Sequence, residues 1–361
     1  MTRAAELFLV GFSGSSVPAE LHTRFWRGDF AGLVFFRRNF ASPDVAVSIA
    51  RDMEGVLKGC ATQGLCPILS IDQEGGRVQR LRGDVTVWPP MMSLAEKHPQ
   101  VCREVGRAMG WELSALGFNV NFAPVLDVHT NPKNPIISDR AFGTRPEDAA
   151  ERALAFLAGL ESEPGVRGCG KHFPGHGDTE SDSHLVLPTV KRPFEDLLRT
   201  ELAPFQRAVD AKIGMLMTAH VVYSDVDARP ATLSRVWLHE VLRKQMGFEG
   251  VILSDDLDMK AVTAEQLGVS DDSEVVVESL LAGCDAFLFC QDAERLFRAE
   301  EALTKAAERN VRVKERMEES AARLARFRTT LKGNGPLYDR VRQFPVQKHL
   351  RLKQEIEAHT P

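Results

Sequence analysis

Short, almost unbroken apolar runs alternate along the chain with longer amphipathic stretches. The runs occupy residues 7–12, 32–36, 67–72, 119–124, 168–172, 214–220, 251–255 and 285–290, and most are rich in Val, Ile, Leu and Phe. Continuous rather than alternating hydrophobicity predicts strands buried on both faces, as in a parallel sheet covered by helices. The segments between them carry a helical period. Val101, Val105, Met109, Leu113 and Leu116 form one apolar stripe, with Gly117 supplying a left-handed stop. A second helix is expected from Thr144, with Thr144 and Glu147 as a capping box, Pro146 in the first turn, and Ala150, Leu154, Leu157 and Leu160 turned inward. A third runs from a Ser234 cap to Gly247.

Eight strand-then-helix units over about 290 residues predict a single (β/α)8 barrel. A doubly wound sheet is the alternative, but no G-x-G-x-x-G turn follows the first run. Residues 292–330 read as charged helix. The barrel is therefore assigned to residues 1–331 and a short helical tail to 332–361, entered through Gly333, Asn334, Gly335 and Pro336. An amphipathic patch at 346–358, with Val346, Leu350 and Ile356, would cover the barrel or a partner.

Composition narrows the class. With 361 residues, 43% of them hydrophobic, and 45 basic against 50 acidic side chains, the chain is globular and not disordered. A net charge of −5 leaves no basic footprint for nucleic acid. The cysteines, Cys60, Cys66, Cys102, Cys169, Cys284 and Cys290, form no C-x-x-C pair and read as reduced core residues. Residues 7–12 are too short for a leader core, and no run approaches the length of a membrane span. The expectation is a soluble, intracellular protein that engages neither membrane nor nucleic acid.

In a barrel, catalytic groups sit at the C-terminal ends of strands, so polar residues that close an apolar run are the candidates. Strand three leads into Asp72 and then Arg80, strand four into Asp127 and Asp139-Arg140, strand five into Lys171-His172, strand six into His220, and strand seven into Asp255-Asp256. Asp72, Arg80 and Arg140 suit sugar hydroxyls or a carboxylate, since acids accept from vicinal hydroxyls and guanidinium forks donate in pairs. Asp255, at the strand tip, is placed to act as nucleophile or charge stabiliser. Asp256 and Asp258 are read more simply as helix caps or solvated acids.

The densest cluster is Lys171 to His184, KHFPGHGDTESDSH, with three histidines and three carboxylates in fourteen residues spaced by Pro and Gly. This composition describes a loop over the barrel mouth. One reading is a metal site on His172, His176 and His184, although metal barrels usually gather ligands from several strands, with H-x-H at the end of the first. The other pairs Asp182 with His184, so that the carboxylate fixes the imidazole tautomer and raises its basicity for proton transfer.

Four segments together resemble the β-N-acetylhexosaminidases of glycoside hydrolase family 3: IDQEGGRVQR at 71–80, NVNFAPVLD at 119–127, KHFPGHGDTESDSH at 171–184 and VILSDDLDM at 251–259. The likeness runs in order from about residue 5 to 330 and is nearest to the single-barrel bacterial members of peptidoglycan recycling. It implies Asp255 as nucleophile, forming a covalent glycosyl intermediate, and His184 as acid/base oriented by Asp182. It also implies that Asp72, Arg80, Arg140, Lys171 and His172 bind N-acetylglucosamine, with no metal or cofactor. No departure occurs at these positions, whereas the tail beyond Lys332 lies outside the likeness.

The implied activity is exo-hydrolysis of terminal β-linked GlcNAc from GlcNAc-1,6-anhydroMurNAc muropeptides. A donor carried on a loop breaks the usual retaining pattern of two carboxyls roughly 5 to 5.5 Å apart. A His donor also avoids a second full negative charge facing Asp255, which would admit an anionic acceptor and hence phosphorolysis. Other family 3 glycosidases, a metal-dependent barrel hydrolase and an inactive sugar-binding barrel are the remaining alternatives.

Overall fold

The computed structural model describes residues 2–58, 65–162, 166–180, 186–267, 271, 273–331 and 335–358, with the backbone alone for Trp26 and Glu265. Each apolar run coincides with one barrel strand to within a few residues: β1 Phe8–Val10, β2 Gly32–Phe35, β3 Ile68–Ile71, β4 Val120–Asn121, β5 Arg167–Phe173, β6 Met215–Thr218, β7 Val251–Asp256 and β8 Ala286–Phe289. Every strand pairs in parallel with its sequence neighbours, and β8 closes on β1 with Phe8 opposite Phe287 and Val10 opposite Phe289. The result is a closed (β/α)8 barrel. Nearly every strand residue is buried, because one face lines the interior and the other meets the helices.

The helices surround the barrel as α1 Ala19–Trp26, α2 Ala46–Leu57, α3 Pro99–Leu116, α4 Pro146–Leu160, α5 Phe194–Arg199, α6 Leu202–Asp210, α7 Ala264–Leu267, α8 Glu274–Ala282, α9 Ala293–Arg309 and α10 Val311–Thr329. The α3 stripe is buried and its stop is as expected, with Gly117 at φ 101° accepting a conformation that strains other residues. The α4 start differs. Its cap position is Arg145, in an extended conformation, and no side chain caps it, so Thr144 and Glu147 form no capping box. Pro146 is the reason: its ring disfavours the helical region for the residue before it, which moves the boundary one residue past Thr144. The helix Val236–Gln245, wound with wide π turns, has Arg235 and not Ser234 at its cap position, although the Ser234 hydroxyl one residue earlier still accepts the Trp237 N–H at 3.1 Å.

The tail is helical, with α11 Tyr338–Val341 and α12 Gln347–Ala358. It packs on the chain's own α3: Trp111 meets Phe344 and His349 with ring centroids 5.8 and 5.7 Å apart. His349, buried, places Nδ1 2.8 Å from Glu112 Oε1, and the same carboxylate accepts from the Thr86 hydroxyl at 2.6 Å. Val346 and Ile356 are buried as the amphipathic pattern requires. Cys66, Cys102, Cys169, Cys284 and Cys290 are free thiols, while Cys60 lies outside the described residues. Among the described residues no helix is long and apolar enough to cross a membrane.

Candidate active site

The C-terminal ends of the strands open into a cavity of about 520 Å3. Its apolar lining includes Val34, Phe122, Met217 and Leu288, which come from β2, the end of β4, β6 and β8. Alternate strands supply one interior layer in such barrels, and here the even strands supply an apolar one. The odd strands supply a charged one at the same mouth: Asp72 after β3, Lys171 in β5 and Asp255 in β7.

Lys171 is the centre of the polar wall. Its Nζ lies 2.8 Å from Asp72 Oδ1 and 2.5 Å from Glu74 Oε1. Arg80 donates to Asp72 Oδ2 at 2.9 Å, and Arg140 grips Glu74 through two parallel bonds of 2.8 and 2.9 Å. Burial alone would raise both carboxyls, but the neighbouring cations outweigh it. Lys171 and Arg80 hold Asp72 well below the usual range, and Arg140 and Lys171 hold Glu74 at about 2. Burial would likewise strip Lys171 of its proton, and Asp72 and Glu74 reverse that, raising its pKa. Three fixed cations and two fixed anions therefore face the ligand space. The Arg80 Nε–H is buried with no hydrogen-bond partner among the described residues.

His172 is held by Asp127. The His172 ring donates from Nδ1 to Asp127 Oδ2 at 2.7 Å, which leaves Nε2 facing Arg140 Nη2 at 3.5 Å. The same buried carboxylate accepts the backbone N–H groups of His172 and His176. His176 is pushed down to about 4 by burial and by its neighbour His172, so it is neutral at pH 7, with Nδ1 2.8 Å from the Thr179 hydroxyl. Gly177 passes so close to the Val128 carbonyl that a Cβ would lie 1.6 Å from its oxygen. The two ring contacts give His172 and His176 structural partners, and among the described residues no group of three or more His, Cys, Asp or Glu side chains is arranged to hold a metal ion.

The β7 tip is fixed by a relay of hydrogen bonds. The Asp255 N–H donates to Thr218 Oγ1 at 3.3 Å, Thr218 meets Thr232 at 2.8 Å, Thr232 meets His220 Nδ1 at 2.8 Å, and His220 Nε2 lies 3.1 Å from the Asp256 carbonyl. Asp255 and the five candidates Asp72, Arg80, Arg140, Lys171 and His172 all line the one cavity. Asp182 and His184 lie outside the described residues.

Residues 3–327 match the glycosyl hydrolase family 3 N terminal domain. The chain belongs to glycosyl hydrolase family 3. Among its relatives, a β-hexosaminidase of Thiobacillus denitrificans is 40% identical over 270 residues, covering 73% of this chain and 72% of that protein. Two solved structures are also similar. A family 3 β-N-acetylglucosaminidase from Paenibacillus sp. str. FPU-7 superposes with a TM-score of 0.87 at 33% identity, covering 99% of this chain and 68% of that one. NagZ from Neisseria gonorrhoeae, in complex with N-trifluoroacetyl-D-glucosamine, gives 0.76 at 29%, covering 100% and 99%.

This family 3 glycoside hydrolase uses residues that its sequence pattern left without a role. Glu74 was visible inside IDQEGG, yet only the fold shows it bracing Lys171 and Arg140. Asp127 closes an apolar run and proves to be the anchor of His172. Asp256 and Asp258 are neither caps of a following helix nor solvated. Asp258 Oδ2 accepts the backbone N–H groups of Cys290, Gln291 and Asp292 at 3.0, 2.8 and 3.1 Å, joining the loop after β7 to the loop after β8. Asp256 accepts from Asp258 and Cys290, and burial, with the charges of Asp258 and Asp255, pushes it up to about 7.

Proposed function

We propose that this enzyme is a retaining exo-β-N-acetylglucosaminidase that releases terminal β-linked GlcNAc from peptidoglycan fragments of the GlcNAc-1,6-anhydroMurNAc type. The observation that carries the reading is the sharing of one cavity by Asp255 and the ladder of Arg80, Asp72, Lys171, Glu74 and Arg140. The apolar lining of Val34, Phe122, Met217 and Leu288 beside this charged wall supports the seating of a terminal sugar. The charged wall offers donors and acceptors in alternation, as vicinal hydroxyls demand. The names of the similar proteins, β-hexosaminidase and β-N-acetylglucosaminidase, point to the same sugar.

In the proposed mechanism the Asp255 carboxylate attacks the anomeric carbon as His184, oriented by Asp182, protonates the departing glycosidic oxygen. The glycosyl ester so formed is then hydrolysed by water, with His184 taking a proton back. Asp72, Arg80, Arg140, Lys171 and His172 hold the GlcNAc throughout. The same reading places the enzyme in the cytoplasm as a monomer, working without metal or cofactor. Initial rates on 4-nitrophenyl β-N-acetylglucosaminide, β-glucoside and β-xyloside, with and without EDTA, test it. Strong preference for the N-acetyl sugar, indifferent to EDTA, is expected; equal rates on all three or loss to chelation would overturn the assignment.

A further inference from the structure

A second cavity, of about 360 Å3, lies at the other end of the barrel, where Gly214 and Gly250 precede β6 and β7. Its charged lining is Arg167, Lys212, Arg323 and Arg326 against Glu161 and Glu249. Glu161 is already engaged, accepting from Arg167 at 3.4 Å and from the Gly168 N–H at 3.0 Å. Behind Arg323 the imbalance deepens. Asp285, fully buried before β8, accepts from three guanidiniums: Arg323 at 2.5 Å, Arg316 at 3.2 Å, and Arg243. Burial, together with repulsion from Arg323 and Arg316, outweighs Asp285 and pushes Arg243 down to about 10. Arg316 has a second partner in Glu319 at 2.8 Å, but Arg323 and Arg243 still share the Asp285 charge with it, two carboxylates for three cations, and uncompensated charge in such a place calls for an anion.

Lys212 adds an independent mark. It sits at φ 62° in the turn that closes α6, with its N–H bonded to Val209 O at 2.9 Å and the Ile213 N–H bonded to Ala208 O at 3.0 Å. Glycine suits that position without strain, so a cation occupies the cavity rim at a site where the backbone favours another residue. The cation excess is local, since the whole chain carries −5.

We propose that this cavity binds a small phosphate-bearing anion, held by Arg323, Arg326 and Lys212. Guanidinium forks match the oxygens of a phosphate group, its double charge answers the surplus, and the volume leaves room for a small ester group. Lying at the N-terminal face, the site serves stability and not the chemistry at the opposite mouth. The test is the thermal midpoint of the full chain with inorganic phosphate or glycerol 3-phosphate, against sodium chloride of equal ionic strength. Saturating ligand should raise it by roughly 3–5 °C. A rise with inorganic phosphate identifies the free ion as sufficient; a rise with the ester alone identifies an organic phosphate. The Lys212→Gly/Arg326→Ala variant should lose the rise, keep full turnover of 4-nitrophenyl β-N-acetylglucosaminide, and melt no lower than wild type without ligand, because glycine relieves the turn. Arg326→Glu alone, an exposed change, should also lose it. No rise with either ligand, or an undiminished rise in these variants, would overturn the proposal.

Discussion

Replacing Glu74 by Gln keeps the shape of the side chain and removes the charge that braces the sugar-facing wall. Lys171 would then share Asp72 with Arg80, and Arg140, nearly buried, would lose the carboxylate it grips. Moving a carboxyl from its ordinary 4.5 to about 2 corresponds to roughly 3 kcal/mol of stability at neutral pH. Removing one member of a buried ion pair independently suggests about 3–5 kcal/mol. The pH dependence has a defined sign. A lowered carboxyl contributes above its unfolded pKa and loses that contribution as pH falls toward the folded one, so the gap between wild type and Glu74→Gln should be about 3 kcal/mol at pH 7 and about half that at pH 3. Urea unfolding followed by tryptophan fluorescence at pH 7, 4 and 3 measures it. A gap under about 1 kcal/mol at pH 7, or one that widens on acidification, would refute the reasoning.

Three further outcomes are expected. His184→Ala should slow glycosides with poor leaving groups by roughly 10²–10⁴ while sparing activated aryl glycosides, and equal slowing of both would assign His184 to positioning instead. Asp256, raised to about 7, contributes stability that is present below pH 4 and lost as pH rises through 7; Asp256→Asn should therefore melt several degrees above wild type at pH 8, with the difference vanishing near pH 4 in parallel melts. His349→Ala leaves the Glu112 carboxylate with the Thr86 donors and should lower stability by about 1–3 kcal/mol in denaturant titrations, with His349→Gln recovering part of it.

The barrel was legible because its strands are buried on both faces, so each apolar run marks a strand without competing polar alternation. The runs at 67–72 and 251–255 also deliver Asp72 and Asp255 to the cavity, since the strand tip is where the polar residue must emerge. What stayed hidden depends on contacts distant in sequence. Glu74 and Arg140 are 66 residues apart and Asp127 and His172 are 45 apart, and nothing local in either segment announces the pairing. Asp258 shows the same limit: its position suits a cap, yet three N–H groups more than thirty residues away claim it. At α4 the local signals conflicted, and the restriction Pro146 places on Arg145 prevailed over the capping box.

In the proposed mechanism Asp255 forms a covalent bond to the sugar. It is tested most directly by incubating the enzyme with 5-fluoro-N-acetyl-β-glucosaminyl fluoride, whose turnover stalls after the first step, and mapping the adduct by peptide mass spectrometry. A single N-acetylglucosaminyl-type adduct on the peptide bearing Asp255, absent from Asp255→Ala, is the predicted result. Turnover without any trapped ester, or an adduct on another residue, would rule out Asp255 as the nucleophile.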